Sequence, residues 1–400
     1  MMETLESALA LLINAATPVR ETECVSLPGA LGRVCAQEIV SPIDVPPFDR
    51  SPLDGYALHS ADIAGATRET PAHLTVIGEA CAGCGERFAV ARGQALRIMT
   101  GAPVPPECDC VIRQEDTDEG METVQVYAAV GAGKNICRAG EDVARGKVMA
   151  RPGEVISSAH IGVLASLGVT QIEVYRRVRV ALLATGDELA QPGEPLAFGK
   201  IYDSNRAVLT ARLAELGAEA HILPSCPDEP QAVADALIRA AREADVLITT
   251  GGVSVGKKDI MHRVLPLMGA RRLLWKVAMK PGSPLLCAEY AGKPVICLSG
   301  NPFAALACFE VFAVPVLRRL GGQASWASRR VRARLSGSFG KASPGRRLIR
   351  ARLEGGCVTL TGNNHSSGSL AEMIGCNCLI DIPAGSGLLS DGDEVEVLLL

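Results

Sequence analysis

The sequence predicts a multidomain fold of the α/β plus β class. We expect a parallel-sheet α/β domain with helices on both faces, a β-rich inserted domain, and a C-terminal small β barrel or sandwich. Length supports several domains, because 400 residues suffice for about two to four. Strand and helix patterns alternate across residues 176–324, as in parallel sheets. Short strand patterns fill the stretches on either side.

Composition places the chain among globular proteins and excludes two classes of partner. Hydrophobic residues make up 48% of the chain and charged residues 21%, so a large core can form. Aromatic residues reach only 4%, too few for a surface that stacks bases. With a net charge of -4, we expect neither a nucleic acid nor a membrane surface as a partner.

The N-terminus and the apolar stretches predict a soluble, cytoplasmic protein. The chain starts acidic, with Glu3 and Glu6, where a signal peptide carries basic residues. The longest apolar stretch, residues 294–317, is interrupted by a Gly-Asn-Pro turn and contains Glu310, so it does not suit a bilayer span.

Fourteen cysteines allow two interpretations. One close pair, Cys81/Cys84, has the two-residue spacing of a zinc ligand pair. Two further pairs have one intervening residue, Cys108/Cys110 and Cys376/Cys378. A disulfide framework suits short secreted chains. We expect reduced thiols that pack as small apolar side chains, with a structural zinc as the alternative.

The first predicted element is a helix between residues 3 and 16, with Leu5, Leu9 and Leu12 on one face. A proline-rich stretch follows at residues 41–48. Because a residue before proline avoids the α region, we expect this stretch to be extended and to cross between domains.

Strand patterns dominate residues 54–142. Short β candidates, separated by glycine and proline, cover residues 73–80, 94–100, 108–114 and 122–127. One helix follows, with Ser157 as its N-cap and Gly168 as its C-terminal stop.

From residue 176 strands and helices alternate. Predicted strands cover residues 178–184, 221–223, 246–250 and 295–298. Predicted helices cover the stretch that ends at Gly217, residues 231–242, residues 259–268 and the stretch that starts at Pro302. This order predicts a parallel sheet covered on both faces. After residue 330 apolar and polar residues alternate again, as in strands.

Polar and glycine-rich turns follow three of these strands. Ligands of parallel α/β sheets bind beyond the carboxyl ends of the strands. Those ends carry Thr185-Gly186-Asp187-Glu188, Gly251-Gly252-Val253-Ser254-Val255-Gly256 and Ser299-Gly300-Asn301-Pro302. We expect all three turns to open on one edge of the sheet.

The glycine-rich turn is a candidate phosphate site. Backbone N–H groups from Gly251 to Gly256 could converge on an anion ahead of a helix N-terminus. The turn matches neither a Walker A loop nor GxGxxG. A tight strand-to-helix turn without a ligand is the alternative.

The charged residues in or near these turns each allow two interpretations. Glu188, Asp228 and Asp259 fall at or after strand ends, where carboxylates beside a phosphate hold Mg²⁺. Helix N-capping is the alternative. Lys276 and Lys280 offer cationic groups for an anionic substrate, or are simply solvated.

Three polar loops lie outside the α/β region. Residues 46–57, the turn at Thr100 and the turn at Asp142 are rich in proline, glycine or carboxylates. Their composition alone predicts turns, and their spacing reveals neither a catalytic triad nor a metal-ligand helix.

Seven motifs occur in a fixed order along nearly the whole chain. They are PPFDRSPLDGYA, TGAPVP, AGEDV, ATGDEL with IYDSN, TGGVSVGKKD, KVAMKPG and LSGNP. In this order they resemble the MoeA/gephyrin E-domain family, the molybdopterin molybdenumtransferases or molybdenum insertases. Seven ordered motifs are far more specific than any one of them.

The resemblance implies the last step of molybdenum cofactor synthesis. Adenylylated molybdopterin and molybdate would be the substrates, AMP would be released, and Mg²⁺ would support the reaction. It also implies a homodimer whose active cleft lies between subunits, with an adenylyltransferase of the same pathway as a candidate partner.

The same resemblance implies four domains. Residues 1–45 and 143–175 would form a linker and dimerisation domain, and residues 46–142 the inserted β-rich domain. Residues 176–324 would form the molybdopterin-binding α/β domain, and residues 325–400 the C-terminal β domain.

Site residues carry over where motifs match. The implied catalytic residues are Asp54, Thr100, Asp142, Glu188, Asp228 and Asp259, of which the last three would hold the metal. The implied substrate-binding residues are Gly251, Gly252, Ser254, Gly256, Lys276, Lys280, Pro281, Ser299, Asn301 and Pro302. Positions that approach the partner's cleft are matched by Ser366 and Ser367, with Arg346 or Arg347.

Three departures from the family pattern fall at the expected oxyanion site. Ser283 replaces the second lysine of KPGKP, Ser299 replaces the first proline of LPGNPVS, and Ala304 replaces its serine. Because oxyanions are held by charge and hydrogen bonds, a non-catalytic molybdopterin-binding or scaffold paralogue is a second hypothesis. A third, adenylyltransferase activity, is disfavoured by the long N- and C-terminal additions.

Overall fold

The computed structural model describes residues 2–83, 85–226, 228–253, 260–362 and 364–400. Its α-helices are α1 (Leu5–Ala15), α2 (Ser158–Ser166), α3 (Ser204–Glu215), α4 (Pro230–Ala240), α5 (Met261–Met268), α6 (Pro302–Cys308) and α7 (Val314–Leu320). A π-helical turn, Phe309–Ala313, joins α6 to α7. Short 3-10 helices cover Pro28–Ala30, Ser60–Asp62, Gln114–Asp116 and Ala371–Met373.

The strands are β1 (Thr22–Ser26), β2 (Ile39–Val40), β3 (Gly55–Leu58), β4 (Ala72–Ala80), β5 (Gln94–Ile98), β6 (Cys110–Arg113), β7 (Thr123–Val126), β8 (Val148–Ala150), β9 (Gln171–Tyr175), β10 (Arg179–Ala184), β11 (Leu189–Ala190), β12 (Ile201–Tyr202), β13 (Glu219–Ile222), β14 (Val246–Thr250), β15 (Arg271–Trp275), β16 (Met279–Lys280), β17 (Leu286–Tyr290), β18 (Lys293–Leu298), β19 (Arg330–Ser336), β20 (Arg346–Glu354), β21 (Cys357–Leu360), β22 (Cys378–Ile382) and β23 (Glu394–Leu399).

The chain divides into two compact units. The larger unit comprises the residues up to Ala36, Pro152–Ile156 and Ile172–Leu400. The smaller unit comprises Gln37–Arg151 and Ser157–Gln171. None of the helices in the described ranges combines the length and the apolar character that a membrane span requires.

A six-stranded sheet in the order β13-β10-β14-β18-β17-β15 organises the larger unit. The strands β13, β10, β14 and β18 are parallel. Successive residues of β10 enter opposite cores: Val180 and Leu182 pack with α1, α3, α6 and α7, whereas Ala181 and Leu183 pack with α4 and α5. The predicted sheet with helices on both faces is confirmed.

An antiparallel pair extends this sheet beyond the prediction. β17 pairs antiparallel with β18, and β15 with β17. The link between β17 and β18 is the two-residue turn Ala291-Gly292, with φ of 49° and 74°. Two residues allow only a hairpin, because a parallel crossover needs a dozen or more.

Strands β19 to β23 close into a small barrel. Neighbours follow the order β20-β21-β19-β23-β22, and β22 pairs again with β20. Alternate residues of β19 and β23, including Ala333, Leu335 and Val397, fill its core. The predicted C-terminal β barrel is confirmed. Strand β16 pairs in parallel with the start of β20, which sets Lys280 opposite Arg347.

A five-stranded sheet in the order β6-β3-β5-β4-β7 forms most of the smaller unit. The part of the 46–57 loop prediction that covers β3 is wrong: β3 lies between β6 and β5, and Tyr56 is 1% exposed. A Cβ at Gly55 would lie 1.9 Å from the Ile112 carbonyl oxygen, so close pairing requires this glycine. Because the prolines and aspartates around this strand are typical of turns, the sequence does not indicate its four residues.

Many cysteines pack inside these cores. Burial raises the pKa of the Cys108 and Cys110 thiols to about 12, so both stay protonated at neutral pH. Cys84, one member of the best-spaced pair, lies outside the described residues, and zinc stays an open alternative there.

Candidate active site

Three turns meet at the carboxyl edge of the parallel strands. Thr185 and Gly186 follow β10, Gly251 and Gly252 follow β14, and Ser299 follows β18. All three turns line one cavity of about 620 Å³. The sequence predicted this meeting because carboxyl ends of parallel strands share an edge.

Buried side chains tie the turns together. Asn205, 8% exposed on α3, donates from Nδ2 to Thr250 Oγ1 at 2.9 Å and to the Gly300 carbonyl at 2.8 Å. The Thr250 hydroxyl in turn donates to the Ser299 carbonyl at 3.1 Å. One amide therefore links the turns after β14 and β18.

The turn after β14 requires glycine. Gly251 has φ of 98°, and a Cβ there would lie 2.3 Å from the Thr185 carbonyl oxygen. Gly252 has φ of 66°. Such angles strain other residues, so these glycines let the backbone stay close to β10 and line the cavity.

The cavity at these turns is acidic, and we call it the acidic cavity. Its described lining includes Glu188, Asp203 and Asp228 and contains no lysine, arginine or histidine. Asp203, 2% exposed, caps α3 by accepting from the Arg206 backbone N–H at 3.0 Å. An anionic substrate would need a cation to enter this cavity.

The described residues fit Mg²⁺ bound together with a phosphate. Among them no set of three His, Cys, Asp or Glu side chains is placed to hold a metal alone. Mg²⁺ in phosphate sites usually takes one or two carboxylates and completes its shell with phosphate oxygens and water. Glu188 and Asp228 supply two carboxylates. The buried Asn205 Oδ1, without a described hydrogen-bond partner, is a further oxygen in the lining.

A second cavity of about 760 Å³ has the opposite charge, and we call it the cationic cavity. Its described lining contains Lys280, Lys341, Arg347 and His365 but no aspartate or glutamate. Its polar groups are Ser283, Ser299, Asn301, Asn364, Ser366 and Ser367. Such a set suits an oxyanion.

The two cavities adjoin. Pro284, Ser299 and Asn301 line both. The Asn301 backbone N–H donates to Ser299 Oγ at 3.3 Å, and Asn301 Nδ2 contacts Ser367 Oγ at 3.3 Å. The turn after β18 thus forms the border between an acidic and a cationic compartment.

His365 contributes hydrogen bonding more than charge at neutral pH. Burial lowers its pKa below the usual 6.5, and the positive charges of Arg350, Lys341 and Arg347 act in the same direction against Glu372. Its ring packs edge-on to Phe339, with centroids 5.1 Å apart.

The structure separates the two predicted lysines. Lys280 lines the cationic cavity together with Pro281. Lys276 lines neither cavity, and its ammonium lies 4.4 Å from the centroid of the Trp275 ring. Of the two candidate arginines, Arg347 lines the cationic cavity, whereas Arg346 donates to Asp381 at 2.6–2.7 Å.

Two of the predicted residues of the smaller unit are in direct contact. Asp54 Oδ1 accepts from the Thr100 backbone N–H at 2.7 Å and from Thr100 Oγ1 at 2.8 Å. These two bonds hold the pKa of Asp54 below its usual value. Asp142 lines a separate cavity of about 300 Å³ with Lys147 and His160.

Three predicted residues lie outside the described part of the chain: Ser254, Gly256 and Asp259. The other predicted members, Gly251, Gly252 and Pro302, line the acidic cavity. Asn205, Lys341 and His365 also line the cavities but were not among the predicted site residues. Asn205 ends the IYDSN motif and follows the N-cap Asp203, and His365 directly precedes Ser366, so a signal lay beside both. The sequence around Lys341 gives no local signal.

Family models match three consecutive stretches. The MoeA N-terminal region (domain I and II) matches residues 3–168, the probable molybdopterin binding domain matches residues 181–319, and the MoeA C-terminal region (domain IV) matches residues 332–400.

Curated relatives and solved structures agree with these matches. A molybdopterin molybdenumtransferase of Staphylococcus aureus (strain MSSA476) is 34% identical over 378 residues, which cover 94% of this chain and 90% of the relative. One of Staphylococcus epidermidis (strain ATCC 12228) is also 34% identical, with the same coverage. Two structures of a molybdopterin biosynthesis MoeA protein from Pyrococcus horikoshii are similar to this chain over its whole length. One has a TM-score of 0.84 at 31% identity, with 99% of its own chain covered. The other has a TM-score of 0.88 at 29% identity, with 100% of its own chain covered.

The resemblance found in the motifs is confirmed over nearly the whole length. With a 34% identical relative covered over nine-tenths of its length and three family models in their expected order, the chain belongs to the MoeA family of molybdopterin molybdenumtransferases, which act in molybdenum cofactor biosynthesis.

Proposed function

We propose that this protein inserts molybdenum from molybdate into adenylylated molybdopterin and releases AMP. The observation that carries the proposal is the pair of adjoining cavities of opposite charge. A metal-bridged pyrophosphate suits the acidic cavity, and a dianionic oxyanion suits the cationic one. Adjacent compartments would bring the dithiolene of the pterin close to the metal that it receives.

In the acidic cavity, the chain's own residues bind and orient the pyrophosphate. The backbone of Gly251 and Gly252 would lie against the substrate in a tight turn that requires glycine, because a Cβ at Gly251 would lie 2.3 Å from the Thr185 carbonyl oxygen. Glu188 and Asp228, with Asp259 from the resemblance, would hold Mg²⁺. When bound, Mg²⁺ neutralises charge on the phosphate oxygens. Asn205 keeps two of the turns at a fixed spacing.

In the cationic cavity, Lys280 and Arg347 supply charge, and Ser366 and Ser367 supply hydroxyl donors. Lys341 adds a cation where the family lysine at position 283 is missing. These groups would hold molybdate beside the border formed by Ser299 and Asn301. The departures at Ser283 and Ala304 therefore leave a working set of donors.

We propose further that the active form is a homodimer, as the resemblance implies. Asp54, Thr100 and Asp142 would then complete the site of the partner subunit. The four-domain division, the binding of an adenylyltransferase of the same pathway and a cytoplasmic location remain predictions of the same resemblance. Light scattering on the full chain tests the dimer, since a monomer at micromolar concentration would refute it.

The direct test is AMP release by the full chain with adenylylated molybdopterin, Mg²⁺ and molybdate. We expect molybdate-dependent AMP release by the wild type and loss of it in Glu188→Ala and Asp259→Ala, with unchanged melting temperatures. Glu243→Ala, which removes an exposed acid after α4, is the matched control. Pterin binding by calorimetry without any AMP release would instead establish the non-catalytic scaffold hypothesis.

A further inference from the structure

A buried arginine lies behind the cationic cavity. Arg350 on β20 is 1% exposed, and its guanidinium carbon lies 4.3 Å from the centroid of the Phe303 ring. Phe303 is itself 2% exposed at the start of α6. The family run LPGNPVS, to which this segment is similar, has valine where this chain has Phe303.

The guanidinium holds both ends of one loop. We call residues 364–369 the oxyanion loop. Arg350 donates from one terminal nitrogen to the Ser369 carbonyl and from the other to the Asn364 carbonyl. The second nitrogen also lies 3.2 Å from Glu372, whose carboxylate accepts from the Asn364 backbone N–H at 2.9 Å.

Between these two anchors the oxyanion loop carries residues to both cavities. Ser366 and Ser367 line the cationic cavity, and Gly368 lines the acidic cavity. The loop is docked against α6, because the Phe303 backbone N–H donates to the Ser367 carbonyl at 3.0 Å. Arg350 itself lines neither cavity.

The buried charge of Arg350 favours one position of the oxyanion loop. Burial favours the neutral guanidinium and lowers the pKa of Arg350, which Glu372 opposes. A buried cation is costly when its partners move away. A shift of the loop carbonyls would leave Glu372 as the main remaining partner of a guanidinium whose Nε already has no described hydrogen-bond partner. The planar fork of arginine reaches two carbonyls at once, whereas a lysine ammonium is a single point charge.

We propose that Arg350 is a positioning residue that holds the oxyanion loop so that Ser366 and Ser367 face the oxyanion. This chain lacks the lysine and the serine that the family pattern has at positions 283 and 304, and the fixed loop compensates for these missing donors. This inference rests on the proposed function of the cationic cavity.

The test is calorimetric titration of the full chain with molybdate. We expect Arg350→Lys to bind molybdate about 10-fold more weakly than the wild type, because at least one charge-assisted hydrogen bond to the loop is lost. Affinity for adenylylated molybdopterin should stay close to wild type, whereas the melting temperature should fall by about 5 °C because a buried charge-assisted hydrogen bond is lost. The matched control is Arg352→Lys on the same strand, where the side chain is 53% exposed, and it should bind normally.

Two readouts separate positioning from a general structural role. Hydrogen exchange should increase in residues 364–369 of Arg350→Lys and remain unchanged in the sheet of the smaller unit. In Arg350→Ala, added guanidinium should restore part of the molybdate affinity, whereas added ammonium should not.

The outcomes distinguish this inference from the proposed function. A wild type that binds no molybdate overturns both. A wild type that binds molybdate, with equal affinity in Arg350→Lys, overturns the inference alone. If Arg350→Lys does not fold, Phe303→Leu removes the aromatic face while keeping the helix. We expect about threefold weaker molybdate binding from this change, and wild-type affinity would contradict the inference.

Discussion

Replacing Asn205 by alanine tests whether the strand-end turns act as one binding surface. The substitution removes a buried amide that bridges Thr250 and the Gly300 carbonyl and leaves the backbone of α3 intact. It touches no charged group of either cavity. Asn205 Oδ1 also lines the acidic cavity and could contact a metal, so the titration is made without Mg²⁺. A loss of nucleotide affinity under that condition would come from the relative positions of the turns.

The expected magnitude follows from the bonds that are lost. Two hydrogen bonds of 2.8 and 2.9 Å disappear, each with a net value of about 1 kcal/mol. Thr250 keeps its donor bond to Ser299, and Gly300 is exposed, so water can satisfy its carbonyl. We expect about 2 kcal/mol of destabilisation and a melting temperature about 5 °C lower.

We expect the substitution to weaken ligand binding as well as to lower the stability of the fold. Small displacements of binding groups cost far more than their contacts suggest, so we expect about 10-fold weaker binding of adenylylated molybdopterin. Calorimetry on the folded variant at 15 °C measures this directly. Asn377→Ala is the control, because it also removes two hydrogen bonds, to the backbone of Leu353, at an exposed position of the barrel.

Wild-type nucleotide affinity in Asn205→Ala, together with a lower melting temperature, would contradict a role of Asn205 in spacing the turns. That result would show that Asn205 stabilises the unit without setting the spacing of the turns. Equal loss of affinity in Asn377→Ala would also contradict this role, because the effect would then reflect global stability.

Three further predictions concern the glycine turn, the barrel and the smaller unit. Gly251→Ala should abolish nucleotide binding, because its Cβ would lie 2.3 Å from a carbonyl oxygen. The control Gly193→Ala, at a similar φ but with open space around it, should lower the free energy of unfolding by about 1 kcal/mol and bind the nucleotide normally in the same titration. Burial raises the pKa of Asp381, but hydrogen bonds from two arginines outweigh this effect and hold the pKa below 3.8. Asp381 should therefore contribute fully to stability above pH 3.8, and this contribution should be lost as the pH falls through the pKa of Asp381 in the folded protein. Asp381→Asn should remove about 3 kcal/mol at pH 7 and flatten this acid limb in denaturant titrations, and an unchanged limb would contradict the assignment. Thr100→Val should raise the pKa of Asp54 in an NMR titration but leave it below the usual value, because the backbone N–H donor remains.

Sequence patterns predicted the acidic cavity well because its residues follow strands of one sheet. Glu188, Gly251 and Ser299 are far apart in sequence. Gly251 and Ser299 come directly after parallel strands, and Glu188 lies in the turn that follows another. The carboxyl ends of such strands share an edge, so their meeting needs no knowledge of side-chain packing.

The cationic cavity could not be predicted in the same way. Lys341 and Arg347 belong to the C-terminal barrel, and the two-residue pairing of β16 with β20 sets Arg347 opposite Lys280. Such a short strand leaves no periodic signal. The oxyanion loop is likewise held by Arg350, which reads in the sequence as one more basic residue of a polar strand.

Lys276 shows the limit of motif matching. Its motif places it four residues before Lys280, but its φ of 72° and its contact with Trp275 keep its ammonium out of the lining of the cationic cavity. A motif therefore identifies the segment, and backbone conformation decides which of its cations lines the cavity.

An anomalous difference map from crystals of the full chain grown with tungstate, a heavier analogue of molybdate, would show which cavity binds the oxyanion. We predict one dominant peak in the cationic cavity, within contact of Lys280, Arg347 and the oxyanion loop. A dominant peak in the acidic cavity, or no peak in either cavity at saturating tungstate, would contradict the division of the site into two compartments of opposite charge.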